Sequence, residues 1–258
     1  TKLWANQYKS IARANTILAN MDKAASMGIS EAKLKQYEGE AFFQRASCYA
    51  RLVTYFGDVI YVTEVVDIDK AFTLGRTAKS EIVPKIYEDY DKAIENLPEK
   101  YSGLSSQRAT KGAALALKAR FALYMGDWEI AATAAKAVID LGIYELHENY
   151  GDLFLPLTAN SKESIFLIPR SIEFGVKINI RGPLPRNHGG WGTPTPTWDL
   201  FASYVCTDGL PIDVSPLFDP HNPFKNRDPR CIMTIVEFNT EHCGFEYDPS
   251  PAAKTVMN

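Results

Sequence analysis

The residue types best suited to recognition chemistry fall in one stretch dense in glycine and proline, residues 169–198, PRSIEFGVKINIRGPLPRNHGGWGTPTPTW. Within it, Gly189-Gly190-Trp191-Gly192 sets a tryptophan among glycines. No adjacent side chain can bury that indole, and the backbone around it is free to present it. Asn179, Arg181, Arg186, Asn187 and His188 supply polar groups close by. A large flat apolar plate ringed by amide, guanidinium and imidazole groups suits a sugar ring: the C–H face stacks on the indole and the polar groups meet the hydroxyls. The competing use of Trp191 is to plug a gap between this loop and the helices. In an earlier insertion, residues 58–79, Tyr61 and Phe72 are candidate rim contacts.

Other residue patterns argue against catalysis. The chain contains no GxSxG, HExxH, GxGxxG or phosphate-loop pattern. His147, His188, His221 and His242 are far apart. Asp67-x-Asp69 imitates the start of a calcium loop but lacks its glycine and distal glutamate, so it reads as solvated loop. The pairs Glu38/Glu40 and Asp89/Asp91 are spaced i, i+2 on helices and do not face each other, which removes them as an acid/base pair. Cys48, Cys206, Cys231 and Cys243 have no zinc-ligand spacing. Cys48 is expected to be a buried thiol, and one bridge among the other three stays open. No cofactor or metal is expected, and calcium is not indicated.

The positioning elements must come from an ordinary globular composition. The 258 residues are 46% hydrophobic and 23% charged, enough for one large domain or two small ones with a sizeable core. A net charge of −3 argues against nucleic acid as a partner. Thirteen tyrosines, thirteen phenylalanines and four tryptophans raise the odds of a stacking surface. Trp4, Trp128 and Trp198 are expected in the core. No apolar run is long enough to span a membrane as a helix. The N-terminal TKLWANQYKS does not read as a signal peptide, although trimming would remove one.

Helical periodicity dominates the first part of the chain. Trp4, Tyr8, Ile11, Leu18 and Met21 mark a helix over 3–27, ended at Gly28. Ser30 caps a second, which runs to about Phe56 with Phe42, Ala46, Tyr49, Val53 and Phe56 on one face. Residues 58–66 are β-prone. A helix resumes at Ser80, the expected cap, with Pro84 in its first turn and Leu97-Pro98 at its end. Thr110 opens an alanine-rich helix, Gly126-Asp127 turns the chain, and Trp128 to Leu141 forms another. That turn has the spacing of a tetratricopeptide repeat, giving helical hairpins at 31–97 and 110–141. Beyond Tyr144 periodicity fades. Ser164 to Ile168 is a strand candidate, Thr197 to Tyr204 a short helix, and Asn226 to Arg230 a structural turn in which Arg227 or Arg230 satisfies carbonyls or carboxylates. The expected fold is mainly α: a tetratricopeptide-like scaffold over 1–143, with a loop-rich segment of few short strands over 144–258.

A series of separated motifs resembles the SusD/RagB family of Bacteroidetes surface lipoproteins. The carriers are Trp4-x3-Tyr8-x2-Ile11-x2-Ala14-Asn15; Gly39-Glu40-Ala41 through Arg45-Ala46 to Tyr55-Phe56-Gly57-Asp58-Val59; and Arg108-Ala109-Thr110-Lys111-Gly112-Ala113-Ala114. Ala119-Arg120 through Tyr124-Met125-Gly126-Asp127-Trp128 and Ala137-Val138-Ile139 follow. Then come Tyr144-x-Leu146, Tyr150, Phe154, Glu163-Ser164-Ile165-Phe166, Thr197-x6-Tyr204, Asp208-Gly209 and Asn226-Arg227-Asp228-Pro229-Arg230. The order matches the family's over nearly the whole chain.

This resemblance implies a non-enzymatic, cell-surface nutrient-binding protein. It would hold an oligosaccharide and deliver it to a SusC-like TonB-dependent outer-membrane transporter. It also implies that Trp191 is the stacking tryptophan of the glycan platform. The lipobox cysteine, the segment before the first helix and the family's long C-terminal portion are not in this sequence, so the resemblance implies an incomplete chain. Membrane contact would run only through a lipid anchor outside it. A peptide-binding member of the same family and a tetratricopeptide protein–protein adaptor are the alternative readings.

Overall fold

The structure is a computed structural model that describes residues 1–103, 107–155, 158, 161–168, 170, 173, 175–176, 181–182, 184, 189–193, 195–242, 244–246 and 248. It is mainly helical. The chain divides into two compact units, Thr1–Leu146 with Asn160–Pro169, and His147–Ala159 with Arg170–Asn258.

The first unit is built on α3 (Glu31–Phe56). Its apolar face buries Phe42, Ala46, Tyr49 and Val53 as the periodicity requires, and Leu52 is fully enclosed. Helices α1 (Lys2–Ala19) and α5 (Lys79–Asn96) pack against it. Each enclosed aliphatic side chain here, such as Leu52, Ile82 or Ile86, contributes roughly 1.5–3 kcal/mol by leaving water. Gly39 lets the end of α5 come close: a Cβ there would sit 2.9 Å from Leu97 Cγ. The second hairpin pairs α6 (Lys111–Met125) with α7 (Trp128–Asp140), and α6 also packs on α5. Thr110 caps α6, accepting a hydrogen bond from the Ala113 amide at 3.1 Å, and Gly126 ends the helix in the left-handed conformation.

A polar network crosses this core. Arg45 is 5% exposed and Asp89 is 3% exposed. The guanidinium donates to the carboxylate through Nε at 2.7 Å and Nη2 at 2.8 Å, and to Asn15 Oδ1 through Nη1 at 3.1 Å. Asn15 Nδ2 in turn donates to the carbonyls of Val62 and Glu64, both at 3.1 Å. The Tyr8 hydroxyl donates to the Ile60 carbonyl at 2.7 Å, and the Tyr49 hydroxyl receives the Val62 amide at 2.7 Å. The segment after α3 therefore has its main-chain groups satisfied by side chains of two helices rather than by a sheet ladder.

Several expectations change in detail. The first helix breaks at Asn20, whose amide folds back on the Thr16 carbonyl at 2.8 Å, and a short α2 (Met21–Ser26) follows. Among the β-prone residues only Val59 pairs, in one antiparallel bridge to Thr77, and the chain between the two partners contains a six-residue α4 (Ile68–Thr73). Helix α5 starts at Lys79 with Ala78 as its cap, so Ser80 lies inside it and Pro84 falls past the first turn. The strand candidate 164–168 is irregular: Phe166 packs its ring edge-on against Phe43, centroids 5.2 Å apart, but no neighbouring strand pairs with it among the described residues.

Two tryptophans expected in the core are on the surface. Trp128 is 67% exposed because it is the first residue of α7, and Ala131, Ala134 and Val138 take the buried face. Trp198 is 64% exposed at the first position of α8 (Trp198–Ser203), where Phe201 fills the core position and Trp198 only flanks it. Trp4 does pack, edge-on to Phe56 at 5.1 Å and against Tyr8 at 5.0 Å.

The second unit has a small core of Phe201, Phe224 and Cys231, flanked by Tyr204 and Ile235. A 3₁₀ helix (Tyr150–Phe154), α9 (Arg230–Thr234) and a two-residue hairpin of β1 (Glu241–His242) with β2 (Phe245–Glu246) complete it. Arg227 holds this core together. Its guanidinium lies over the Phe201 ring at 4.4 Å and donates to the carbonyls of Phe201 (2.6 Å), Tyr204 (2.7 Å) and Pro223 (2.8 Å). Arg230 pairs with Asp228, which holds the Asp228 carboxyl below the usual carboxylate range. Residues 226–230 are thus a structural turn.

Candidate functional site

The loop around Trp191 belongs to the second unit, and its neck is defined by main-chain bonds. The Trp191 amide donates to the Arg181 carbonyl at 2.6 Å, the Gly192 amide to the Leu184 carbonyl at 2.9 Å, and the Thr193 amide to the Gly182 carbonyl at 3.1 Å. The Thr193 hydroxyl also reaches the Gly182 carbonyl at 3.1 Å. Arg181, Gly182 and Leu184 are therefore laced to residues 191–193. The glycines make this possible. Gly189 and Gly192 have φ of 73° and 57°, which other residues adopt at a cost. At Gly190 a Cβ would lie 2.0 Å from the Leu184 carbonyl oxygen. The indole that this neck carries is 54% exposed.

Of the residues singled out by sequence, the structure brings Trp191 and Arg181 side by side through their backbones. Asn179, Arg186, Asn187 and His188 lie outside the described residues. Tyr61 and Phe72 belong to the first unit. Tyr61 is half-buried, its ring 4.7 Å from that of Tyr49 and under Lys85 Nζ at 5.1 Å, and burial pushes its hydroxyl up to about 12. Phe72 is 87% exposed on α4. Among the described residues no cluster of three or more histidine, cysteine or carboxylate groups is placed to hold a metal. Asp89 and Asp91 part company: the first is locked to Arg45, and the second pairs at the surface with Lys118 at 2.6 Å. Cys48, Cys206 and Cys231 are buried free thiols, with Cys48 and Cys231 pushed up by burial.

The side of α3 that carries Ser47, Arg51 and Thr54 has no role expected from sequence and borders α6. There, Arg51 and Tyr55 meet Arg120 and Tyr124 of α6 around a cavity of about 460 Å³. The signal was present, in that Arg51 and Thr54 fall on the polar face of α3, but nothing in the sequence says that α6 lies across from them. A narrower apolar cavity of about 330 Å³ lies between α1 and the segment after α3, lined by Trp4, Tyr8, Ile60 and Val65.

Comparison with known proteins gives consistent matches. Residues 1–123 match the family model SusD-like_3, described as starch-binding and associating with the outer membrane. A SusD-like protein of Formosa agariphila is 29% identical over 175 residues, which is 68% of this chain and 32% of that protein. The crystal structure of a SusD-like carbohydrate binding protein from Bacteroides fragilis superposes with a TM-score of 0.84 at 31% identity, covering 96% of this chain and 48% of that one. A laminarin binding SusD-like protein gives a TM-score of 0.60 at 27% identity over 64% of this chain and 36% of its own. The chain thus spans about a third to a half of the length of these relatives. With motifs, helical architecture and comparisons in agreement, the chain belongs to the SusD-like family.

Proposed function

We propose that this chain is the glycan-binding portion of a cell-surface protein that captures an oligosaccharide and hands it to a TonB-dependent outer-membrane transporter, without catalysing a reaction on it. The observation that carries this reading is Trp191, more than half exposed on a neck fixed by three main-chain bonds. A rigidly presented indole gives a sugar ring a stacking face at little entropic cost. Relatives described as starch-binding, carbohydrate binding and laminarin binding support the ligand class. The family's association with the outer membrane supports the location. Stacking with a few hydrogen bonds gives modest affinity, which suits a protein that must release its cargo.

Affinity electrophoresis against a panel of neutral polysaccharides tests the proposal. At least one glycan should retard the wild-type protein, and Trp191→Ala should weaken that retention by about tenfold, or about 1.4 kcal/mol. Equal retardation of the two proteins removes Trp191 from the site. Release of reducing sugar from the retarding glycan would contradict the non-catalytic part of the reading.

A further inference from the structure

The cavity between α3 and α6 is lined by two arginines and three tyrosines. Arg51, Thr54 and Tyr55 line it from α3, Arg120 and Tyr124 from α6, and Tyr90 of α5 is buried at its floor. No carboxylate lines it among the described residues. Arg45, Arg108 and Arg230 are each paired with a carboxylate. Arg51 and Arg120, by contrast, have neither an ion pair nor a hydrogen bond among the described residues. Arg51 of α3 and Arg120 of α6 line the same cavity, so two cations from different helices border one space. Tyr55 and Tyr124, which line the same cavity, are 69% and 62% exposed.

Two forked cations without counter-charge, in a partly enclosed cleft, provide for an oxyanion. Guanidinium groups bind carboxylate or sulfate bidentately. The flanking phenol rings provide for a flat or ring-shaped body attached to that anion. A cavity of about 460 Å³ is within the size range of small-ligand sites, roughly 300–1,000 Å³. We propose that this cleft is a second binding site, for an acidic saccharide: Arg51 and Arg120 receive its carboxylate or sulfate, and Tyr55 and Tyr124 face the sugar ring. The inference takes from the proposed function only that the ligand is a saccharide, and it uses no residue of the Trp191 loop.

Isothermal titration calorimetry tests it with five probes: a galacturonic acid trimer, a sulfated galactose trimer, the neutral galactose trimer, inorganic sulfate and triglutamate. They are titrated into the wild type, Arg51→Gln/Arg120→Gln and Trp191→Ala, each checked by circular dichroism for native helix content. At least one acidic trimer should bind the wild type about tenfold more tightly than the neutral trimer, and more tightly than sulfate alone. Which acidic trimer does so identifies the anion. The double arginine variant should lose that preference and the weakening of binding by added salt, while Trp191→Ala keeps both. Equal affinity for acidic and neutral trimers, absence of acidic binding, or unchanged binding by a folded double variant overturns the proposal. Tighter binding of triglutamate than of either acidic sugar overturns it in favour of an acidic protein segment. Loss of acidic binding in Trp191→Ala would place the acidic sugar at the loop instead. Failure of the Trp191 proposal alone appears as neutral-glycan retention unaffected by Trp191→Ala, with the acidic preference intact.

Discussion

Arg45 and Asp89 are held to each other by two parallel hydrogen bonds, at 2.7 and 2.8 Å, inside the helical core. Both are nearly inaccessible to water. A buried pair of this kind is worth little against an apolar replacement of both members, yet loss of one member strands the other's charge. Asp89→Ala should therefore destabilise the protein by about 3–5 kcal/mol in urea unfolding. Arg45→Met combined with Asp89→Leu should cost much less than the sum of the single changes. A single-variant cost below about 1 kcal/mol would show that water reaches the pair.

The neck of the Trp191 loop admits a test that leaves the indole in place. Gly190→Ala puts a Cβ 2.0 Å from the Leu184 carbonyl oxygen, so the two sides of the neck must part. Glycan retention in affinity gels should fall about as far as in Trp191→Ala, while the melting of the helical core stays within about 2 °C. Retention at the wild-type level would mean that the neck does not set the pose of the indole.

At Gly39 two opposing effects are separable in size. Alanine gains up to about 1 kcal/mol of helix propensity. Its Cβ would meet Leu97 Cγ at 2.9 Å and Asn96 Cβ at 3.0 Å, and overpacking costs about 1–3 kcal/mol. The second should win, so Gly39→Ala should lower Tm by several degrees in calorimetry. Gly39→Ala paired with Leu97→Ala should recover part of the clash but expose the cost of the lost leucine.

Burial pushes the hydroxyls of Tyr8, Tyr61 and Tyr90 up to about 12, each from an ordinary value near 10. The unfolded chain ionises these groups first, so their contribution to stability is complete below pH 10 and is lost as pH rises from 10 to 12. Thermal melts should be flat with respect to these groups from pH 8 to pH 9.5 and fall steeply above pH 10. In absorbance titration at 295 nm, the exposed tyrosines should ionise first, and the buried set should follow together with loss of helix signal. Ionisation of all tyrosines near pH 10 with the helix signal intact would contradict the burial described for them.

What the sequence made legible follows from which interactions are local. Helices α1, α3, α5, α6 and α7 could be read because a repeat in the chain and the face of a helix are the same thing. The cap at Thr110 and the turn at Gly126 are likewise contained within a few residues. The exposure of Trp128 and Trp198 is not legible in the sequence, because size and apolarity say nothing of which helix end lacks a neighbour. The run 164–168 has strand-like composition, but a strand exists only when a partner pairs with it. Arg45 lies within a motif, yet its burial depends on Asp89 of α5 and Asn15 of α1. Trp191 could be picked out from its flanking glycines alone. The cleft at Arg51 and Arg120 could not, because its parts come together only once α3 and α6 are packed.

The segment at Ile60–Glu64 is gripped by Tyr8, Asn15, Arg45 and Tyr49 through its carbonyls and one amide, and every residue type except proline has those groups. The grip reads the path of the chain and is blind to what the chain displays. Substitutions within the segment can thus alter its outward chemistry without altering its course. Conversely, the four residues that do the gripping stand in α1 and α3, away from the surface they shape. The protein keeps separate addresses for where this segment runs and for what it shows, so the two can be varied independently.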